Sequence, residues 1–337
     1  MKKILYFIFT IIFVISLSGC GKDDKKTVLD KLSKKVNNVN GYKLEATMEL
    51  INNEDSYKYD VTVSYKKDNN YRVSLRNKSN NHEQIILKNK DGVYVLTPSL
   101  NKSFKFQSKW PYNNSQAYLL QSVLDDMKKD SKLTMKKTND GYVFKSKVNY
   151  KNNANLIYQK VVFDKNLIIK KVTVYDDNAS AQIKVSFNDV DMKAKFKSNY
   201  FVLEENMEAI ADLQSEVETK QQMKSLDEAI YPMYLPSGTY LETEKTVELD
   251  EGARIILTFA GESPFMLVEQ KASKEDEMTI IPTSGDLDLF RDSIAIIGDS
   301  SVSWVSDNIE YYLVSSDLSS SELINVAKSI SSLPISK

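Results

Sequence analysis

Between residues 42 and 76 apolar and polar side chains alternate almost without interruption. Residues 42–50 set Leu44, Ala46, Met48 and Leu50 against Lys43, Glu45, Thr47 and Glu49. Residues 57–65 put Tyr57, Tyr59, Val61, Val63 and Tyr65 on one side, with Lys58, Asp60, Thr62 and Ser64 on the other. Tyr71, Val73 and Leu75 repeat the pattern against Arg72, Ser74 and Arg76. A period of two predicts strands with one apolar and one wet face, hence an antiparallel sheet. Asp91-Gly92 and Asp140-Gly141 stand between such runs and predict hairpin turns. Further strands are expected at 132–135, 142–148, 156–163, 167–175 and 181–190.

Three helices punctuate this β pattern. Val28, Leu29, Leu32, Val36 and Val39 make a short amphipathic one, 116–129 a second, and 204–228, free of Gly and Pro, a connecting one. The apolar stripe of the connecting helix (Met207, Ile210, Leu213, Val217) suits ordinary packing, with partner binding as the other reading. Tyr231-Pro232 and Leu235-Pro236-Ser237-Gly238 then open a second region. It has strands at 254–259, 265–270, 278–281, 293–297, 301–305 and 309–314, and a last helix whose start is capped by the serines after Asp317. The expected fold is mainly β (α+β): a large, bent antiparallel sheet with helices on its concave side, plus a small α+β C-terminal domain. Helices over a curved sheet can enclose an apolar cavity. The divisions expected are a signal segment 1–20, a tether 21–26, a half-barrel domain 27–203, the connecting helix 204–228 and the C-terminal domain 229–337.

The first twenty residues carry a different pattern. Lys2 and Lys3 precede an uncharged apolar run from Ile4 to Leu17, then Ser18, Gly19 and Cys20. A basic start, a short apolar core and small residues make a secretory signal peptide, and the run is shorter than the roughly 20 residues of a spanning helix. Leu17-Ser18-Gly19-Cys20 resembles the bacterial lipobox, which implies a diacylglyceryl group on Cys20 and a membrane anchor on the extracytoplasmic face. Two acyl signals give stable anchoring where one is marginal. Cys20 is the one cysteine of the 337 residues, so no intramolecular disulfide is possible and the core holds the fold unaided.

A net charge of −1 hides a division. Residues 21–203 hold 34 Lys/Arg against 20 Asp/Glu, whereas 204–337 hold 9 against 26. One explanation is two surfaces that attract across an interface. The other is a basic half facing an anionic surface, lipid headgroups or wall polymer. Export argues against nucleic acid as a partner.

Little catalytic chemistry is on offer. One histidine, His82, sits in the polar stretch NKSNNHEQ, where a solvated surface residue is expected. One His and a lipidated Cys leave no set for zinc or for Ser-His and Cys-His nucleophiles, and no phosphate-cradling glycine motif occurs. The acid pairs Asp125-Asp126, Asp176-Asp177, Asp250-Glu251 and Glu275-Asp276-Glu277 are adjacent in sequence rather than opposed across a cleft. Asp176-Asp177-Asn178 lacks calcium-loop spacing. No cofactor or metal is expected, and no enzymatic activity.

The order helix, strands, helix, strands, with DGVYVLTPSLNKSFKFQSKWP at 91–111, resembles the LolA family of lipoprotein carriers; Asp91, Gly92, Pro98 and Leu100 hold comparable places. Residues 158–175 look like that family's later hairpin, and the similarity covers about 26–203. YLPSG at 234–238 and DNIEYYLVSSDLSSSELINVAKSI at 307–330 resemble the C-terminal domain of Firmicutes sporulation lipoproteins. The two-part plan is also similar to the RseB/MucB envelope-stress regulators, and the shorter germination lipoprotein GerS is a related partner of a peptidoglycan amidase. The resemblance implies an apolar concave site. It departs from a carrier, which must be soluble, because the lipid expected on Cys20 tethers this chain.

Three functions follow as expectations. The first is a non-enzymatic module at the outer membrane face that holds an acyl chain or a partner segment against Leu44, Met48, Leu50, Val61, Val63 and Tyr71. The second is a structural partner of a cell-wall hydrolase in sporulation or germination, or an RseB-like sensor, docking through the acidic C-terminal part or 204–228. The third, an acid-pair enzyme on wall polymer, has no substrate to suggest it.

Overall fold

The computed structural model describes residues 24–52, 55–106, 108–112, 114–208, 226, 228–249, 252–290 and 293–330. The signal segment and Cys20, and most of the connecting helix expected at 204–228, lie outside the described residues; of that helix, 204–208 is helical, in a turn that starts at 203. The chain divides into two compact units, Met1–Asn38 and Val39–Lys337. In the first, helix α1 (Lys25–Asn37) begins at Asp24, whose carboxylate accepts the Thr27 N–H at 2.7 Å. It ends on Lys34 and Lys35, cations placed where the helix dipole is negative.

The second unit opens with β1 (Gly41–Asn52), β2 (Asp55–Lys66), β3 (Asn70–Asn77), β4 (Glu83–Asn89), β5 (Gly92–Thr97) and β6 (Lys102–Phe106). Helix α2 (Leu120–Lys129) follows, then β7 (Thr134–Lys137), β8 (Gly141–Lys147), β9 (Leu156–Asp164), β10 (Ile169–Asp176) and β11 (Ala181–Asp191). These two antiparallel meanders join where β1 pairs with β11, Met48 opposite Val185 and Leu50 opposite Ile183. The later strands are β12 (Thr239–Leu249), β13 (Gly252–Gly261), β14 (Phe265–Lys271), β15 (Thr279–Thr283), β16 (Asp286–Phe290), β17 (Ser293–Ile297), β18 (Ser301–Ser306) and β19 (Ile309–Val314), before helix α3 (Ser320–Ser329).

Two sheets result. The larger runs β15-β6-β5-β4-β3-β2-β1-β11-β10-β9-β8-β7, the smaller β12-β13-β14-β19-β18-β17-β16. β15, expected among the strands of the C-terminal region, instead extends the larger sheet in parallel with β6. Its Pro282 is tolerated because β15 is an edge strand. The junction sits on the turn 98–100: Asn101 Nδ2 donates to the Glu275 carbonyl at 2.6 Å, and Thr279 N–H to the Asn101 carbonyl at 2.9 Å. Lys102, almost fully buried, reaches Glu310 and lies 3.8 Å from Glu275.

The cross-strand register puts Leu44, Val63 and Val73 in one row, and Met48 beside Tyr59. The face they form is turned inward. Helix α2 lies on it, with the Tyr42 hydroxyl donating to Gln121. The smaller sheet covers more of it: Ile294 N–H donates to Gln84 Oε1 at 2.6 Å and the Tyr59 hydroxyl to the Phe290 carbonyl at 3.4 Å. The smaller sheet has its own core, in which Phe259, Leu267, Trp304, Tyr311 and Leu313 pack with Leu323 and Val326 of α3. That helix is held by the expected serine cap, Ser319 and Glu322 forming a reciprocal capping box.

The opposite face departs from the wet surface that the alternation predicts. Over β4 and β5 it is buried by residues 196–207: Phe201, Leu203 and Met207 cluster with Ile85, Leu87, Tyr94 and Leu96. Asn206 fixes this segment by accepting from Arg72 Nε at 2.6 Å and donating to the Tyr200 and Val202 carbonyls. His82 is a second departure. It is half-buried, with Nε2 out of solvent and no hydrogen-bond partner among the described residues, and burial pushes its pKa down to about 4.

Candidate binding cavity

Between the inner face and the smaller sheet lies a cavity of about 140 Å³, partly open to solvent. Met48 and Leu50 of β1, Ile86 of β4, Leu156 of β9 and Ile183 of β11 give it an apolar floor. One wall is Trp110 with Asn114–Tyr118, another Tyr150 with Asn152 and Asn153. Leu287, Asp288 and Leu289 of β16, with Ile294 and Lys328, close the remaining side. Of the six side chains expected to face a ligand, Met48 and Leu50 line this cavity. Leu44, Val61, Val63 and Tyr71 share their buried face but are not among the lining residues.

The walls are positioned by local chemistry. Tyr42, Tyr65, Tyr71 and Trp110 form a chain of rings with centroids 5.1, 5.0 and 5.7 Å apart, the last pair edge to face. Lys88 Nζ donates to the Trp110 carbonyl at 2.5 Å. Ser115 and Asn149 exchange two hydrogen bonds, which tie the wall loop to the end of β8. Below them Asp126 accepts from Ser115 Oγ at 3.0 Å and Gln159 Nε2 at 3.2 Å. Burial raises its carboxyl to about 7, against those two hydrogen bonds, so a proton sits on this post in mild acid.

Three buried polar atoms of lining side chains have no hydrogen-bond partner among the described residues: Trp110 Nε1, Asn152 Nδ2 and Asp288 Oδ2. Two are donors and one an acceptor. Burial raises the Asp288 pKa while Lys328 opposes it from 3.7 Å, an ion pair too long for a hydrogen bond. Buried polar atoms without partners are rare in native proteins. The side chains that carry these atoms stand around the apolar floor.

Of the floor residues, Met48 and Leu50 belong to the face expected from the alternation, whereas Ile86, Leu156 and Ile183 do not. Asp288, Lys328 and Trp110 come from distant stretches, and only the contact of the two sheets unites them with Met48.

The family model described as "Sporulation protein YdcC-like" matches residues 1–201. The sporulation protein YdcC of Bacillus subtilis (strain 168) is 34% identical over 330 residues, which cover 98% of this chain and 97% of that protein. The chain belongs to the YdcC-like sporulation protein family. Among solved structures, the MucA/MucB complex of Pseudomonas aeruginosa is 11% identical, covering 90% of this chain and 96% of that one at a TM-score of 0.31. A LolA superfamily protein of Nitrosomonas europaea is 9% identical, covering 53% and 97% at a TM-score of 0.31. Likenesses this slight say nothing of ligand or partner.

Proposed function

We propose that this member of the YdcC-like family is a non-enzymatic binding protein of the sporulating cell, held to the extracytoplasmic face of the membrane through lipid on Cys20. Its cavity receives a short segment of a protein partner, one large apolar side chain with the amides beside it. The observation that carries this reading is that Trp110, Asn152 and Asp288, each with a buried polar atom that has no hydrogen-bond partner among the described residues, line one largely apolar cavity. A peptide group offers both the carbonyl that the two donors want and the N–H that Asp288 wants. The volume of about 140 Å³ agrees. It is close to that of an apolar cavity of roughly 150 Å³ that takes benzene, room for one ring or branched side chain. The apolar floor also supports a second reading, in which the terminal methylenes of an acyl chain occupy the same space. Residues 48–183 supply the floor and walls and residues 287–328 the closing side, so both sequence regions act in one site.

The test is photocrosslinking from position 294 of the full chain in sporulating cells. The partner reading expects a peptide adduct, mapped by mass spectrometry, that disappears when Leu50→Trp fills the cavity. A fatty acyl adduct selects the second reading, and adducts indifferent to Leu50→Trp overturn both. For the anchor, the N-terminal peptide is expected to carry a diacylglyceryl mass that Cys20→Ser abolishes.

A further inference from the structure

The strand register gathers the positive charge of the first half onto one surface. On the outer face of β7–β11, Lys136, Val143, Val162, Lys171 and Ser186 form one cross-strand row. The next row is Thr134, Lys145, Lys160, Thr173 and Lys184. Lys147 faces Tyr158, and Tyr158 faces Tyr175, one row further. Lys136, Lys145, Lys147, Lys160 and Lys171 are exposed. No ion pair engages these five among the described residues; Lys184 alone meets an acid, Glu49 at the border with β1, 3.2 Å away. Glu45 and Asp189 also stand at that border, and Asp164 and Asp176 lie at strand ends.

Between the lysines the two tyrosines stack at 4.8 Å with planes 9° apart, Lys145 Nζ lying 4.1 Å from one ring centroid and Lys160 Nζ 5.0 Å from the other. Among the described residues nothing covers this face, although the same face of β4 and β5 is buried under 196–207.

We infer that the outer face of β7–β11 is a docking surface for an anionic phospholipid bilayer. Charge complementarity of a particular form selects this occupant. The cations are all lysines, hydrated point charges without the planar fork that reads one phosphate bidentately. They are spread over a sheet whose strands lie about 4.8 Å apart, with no pocket among them. A grid of that kind suits many mobile headgroups better than one bound molecule. Tyrosines at its centre are side chains that favour the membrane–water interface. The surface acts independently of the cavity and of any lipid on Cys20, to which it would add the basic patch that strengthens a lipid anchor.

The test uses the full chain reconstituted into vesicles, with water-soluble acetylation of lysines read by mass spectrometry. In vesicles with a third phosphatidylglycerol, Lys136, Lys145, Lys147, Lys160 and Lys171 are expected to label several-fold more slowly than in phosphatidylcholine alone. Lys66, Lys67 and Lys274 should label equally in both. Raising the salt to 0.5 M should remove the difference. The variant Lys145→Gln/Lys160→Gln/Lys171→Gln should expose Lys136 and Lys147 again, the docked fraction falling about a hundredfold at roughly a factor of five per lysine. Glutamine at positions 66, 67 and 274 should leave shielding unchanged. Equal labelling in the two lipids, or shielding that survives the triple variant, overturns the inference. So does stronger shielding by soluble polyglycerol phosphate at equal charge, which would make the surface a reader of wall polymer.

Discussion

The two meanders of the larger sheet share one inner face and differ entirely on the outer one. Over β4 and β5 the outer residues Ile85, Leu87, Tyr94 and Leu96 are buried beneath Phe201, Leu203 and Met207. Over β8–β10 the corresponding positions are Lys145, Lys160 and Lys171, open to solvent. Both halves give residues to the cavity floor, and they differ outside it: one half is three-layered, the other two-layered with a charged surface left free. The segment that distinguishes them is 196–207, which follows β11 and buries β4 and β5, not β8–β10. A strand buried on both faces needs apolar residues at successive positions, whereas a strand with one wet face needs alternation. Both rules are obeyed within one sheet.

The largest expected effect tests that distinction directly. Leu87→Ala, at a fully buried outer position of β4, should cost about 2–5 kcal/mol in urea unfolding. Val162→Ala, at an outer position of β9 that is only half-buried, should cost under about 1 kcal/mol. Equal costs would mean that the open half is covered as well.

A second effect of nearly that size is hidden on the inner side of the open half. Asp126, on α2 against Ser115 and Gln159, has its carboxyl raised to about 7 by burial. A carboxyl raised in the folded state holds a proton that the unfolded chain has released, so its contribution is present below about pH 4 and lost as pH rises through 7. Stability should fall between pH 4 and 7, and Asp126→Asn should restore roughly 2–4 kcal/mol at pH 8 while changing little at pH 4. Glu269, fully buried in the smaller sheet and also raised to about 7, adds a slope of the same sign. His82, lowered to about 4, adds the opposite slope, losing stability as pH falls from 6.5 to 4. Chemical melts of the three single variants, Asp126→Asn, Glu269→Gln and His82→Gln, separate them.

Next comes the clamp on the covering segment. Asn206→Ala removes one acceptor for Arg72 and two donors, and should cost about 1–3 kcal/mol. Hydrogen exchange should then rise in 196–207 and in the amides of β4 and β5, with β8–β10 unchanged.

Much of this was legible in the residues. The alternation at 42–76 placed β1–β3, and strands expected at 156–163, 181–190 and 309–314 fall within a residue or two of β9, β11 and β19. The doubly buried pair β4 and β5 was not among the strands expected, although Ile85-Ile86-Leu87 and Val93-Tyr94-Val95-Leu96 are continuous apolar runs. Nor did anything announce what covers them, because 196–207 carries no period that names its target. β12 escaped because TYLETEKTVEL is an edge strand exposed on both faces, and exposure on both sides leaves no apolar stripe to read. β15 was recognised as a strand, but its parallel pairing with β6 rests on contacts almost two hundred residues apart. The split of charge between the halves announced the basic one, yet only the register shows that its lysines share one face with two tyrosines. For the cavity, periodicity reported Met48 and Leu50 because they belong to a local pattern. Asp288 and Trp110 belong to none.

The smallest effect bears on the tyrosine pair at the centre of the open face. Tyr175 stacks on Tyr158 and lies beneath Lys160 Nζ, all three on a surface that water reaches. Cation–π contact and stacking at exposed sites contribute about 0.5–1 kcal/mol each, part of which leucine recovers by apolar contact. Tyr175→Leu should therefore shift the urea midpoint by less than about 1 kcal/mol equivalent, near the noise of the measurement. Tyr94→Leu, at a buried outer position of β5, removes a ring from a packed cluster and should cost several times more. If the two tyrosines prove equally costly, Tyr175 is serving the fold, and the open face loses its claim to be free. If Tyr175 is nearly silent in stability, its place beside five lysines that meet no acid among the described residues is left to be explained by what the surface meets.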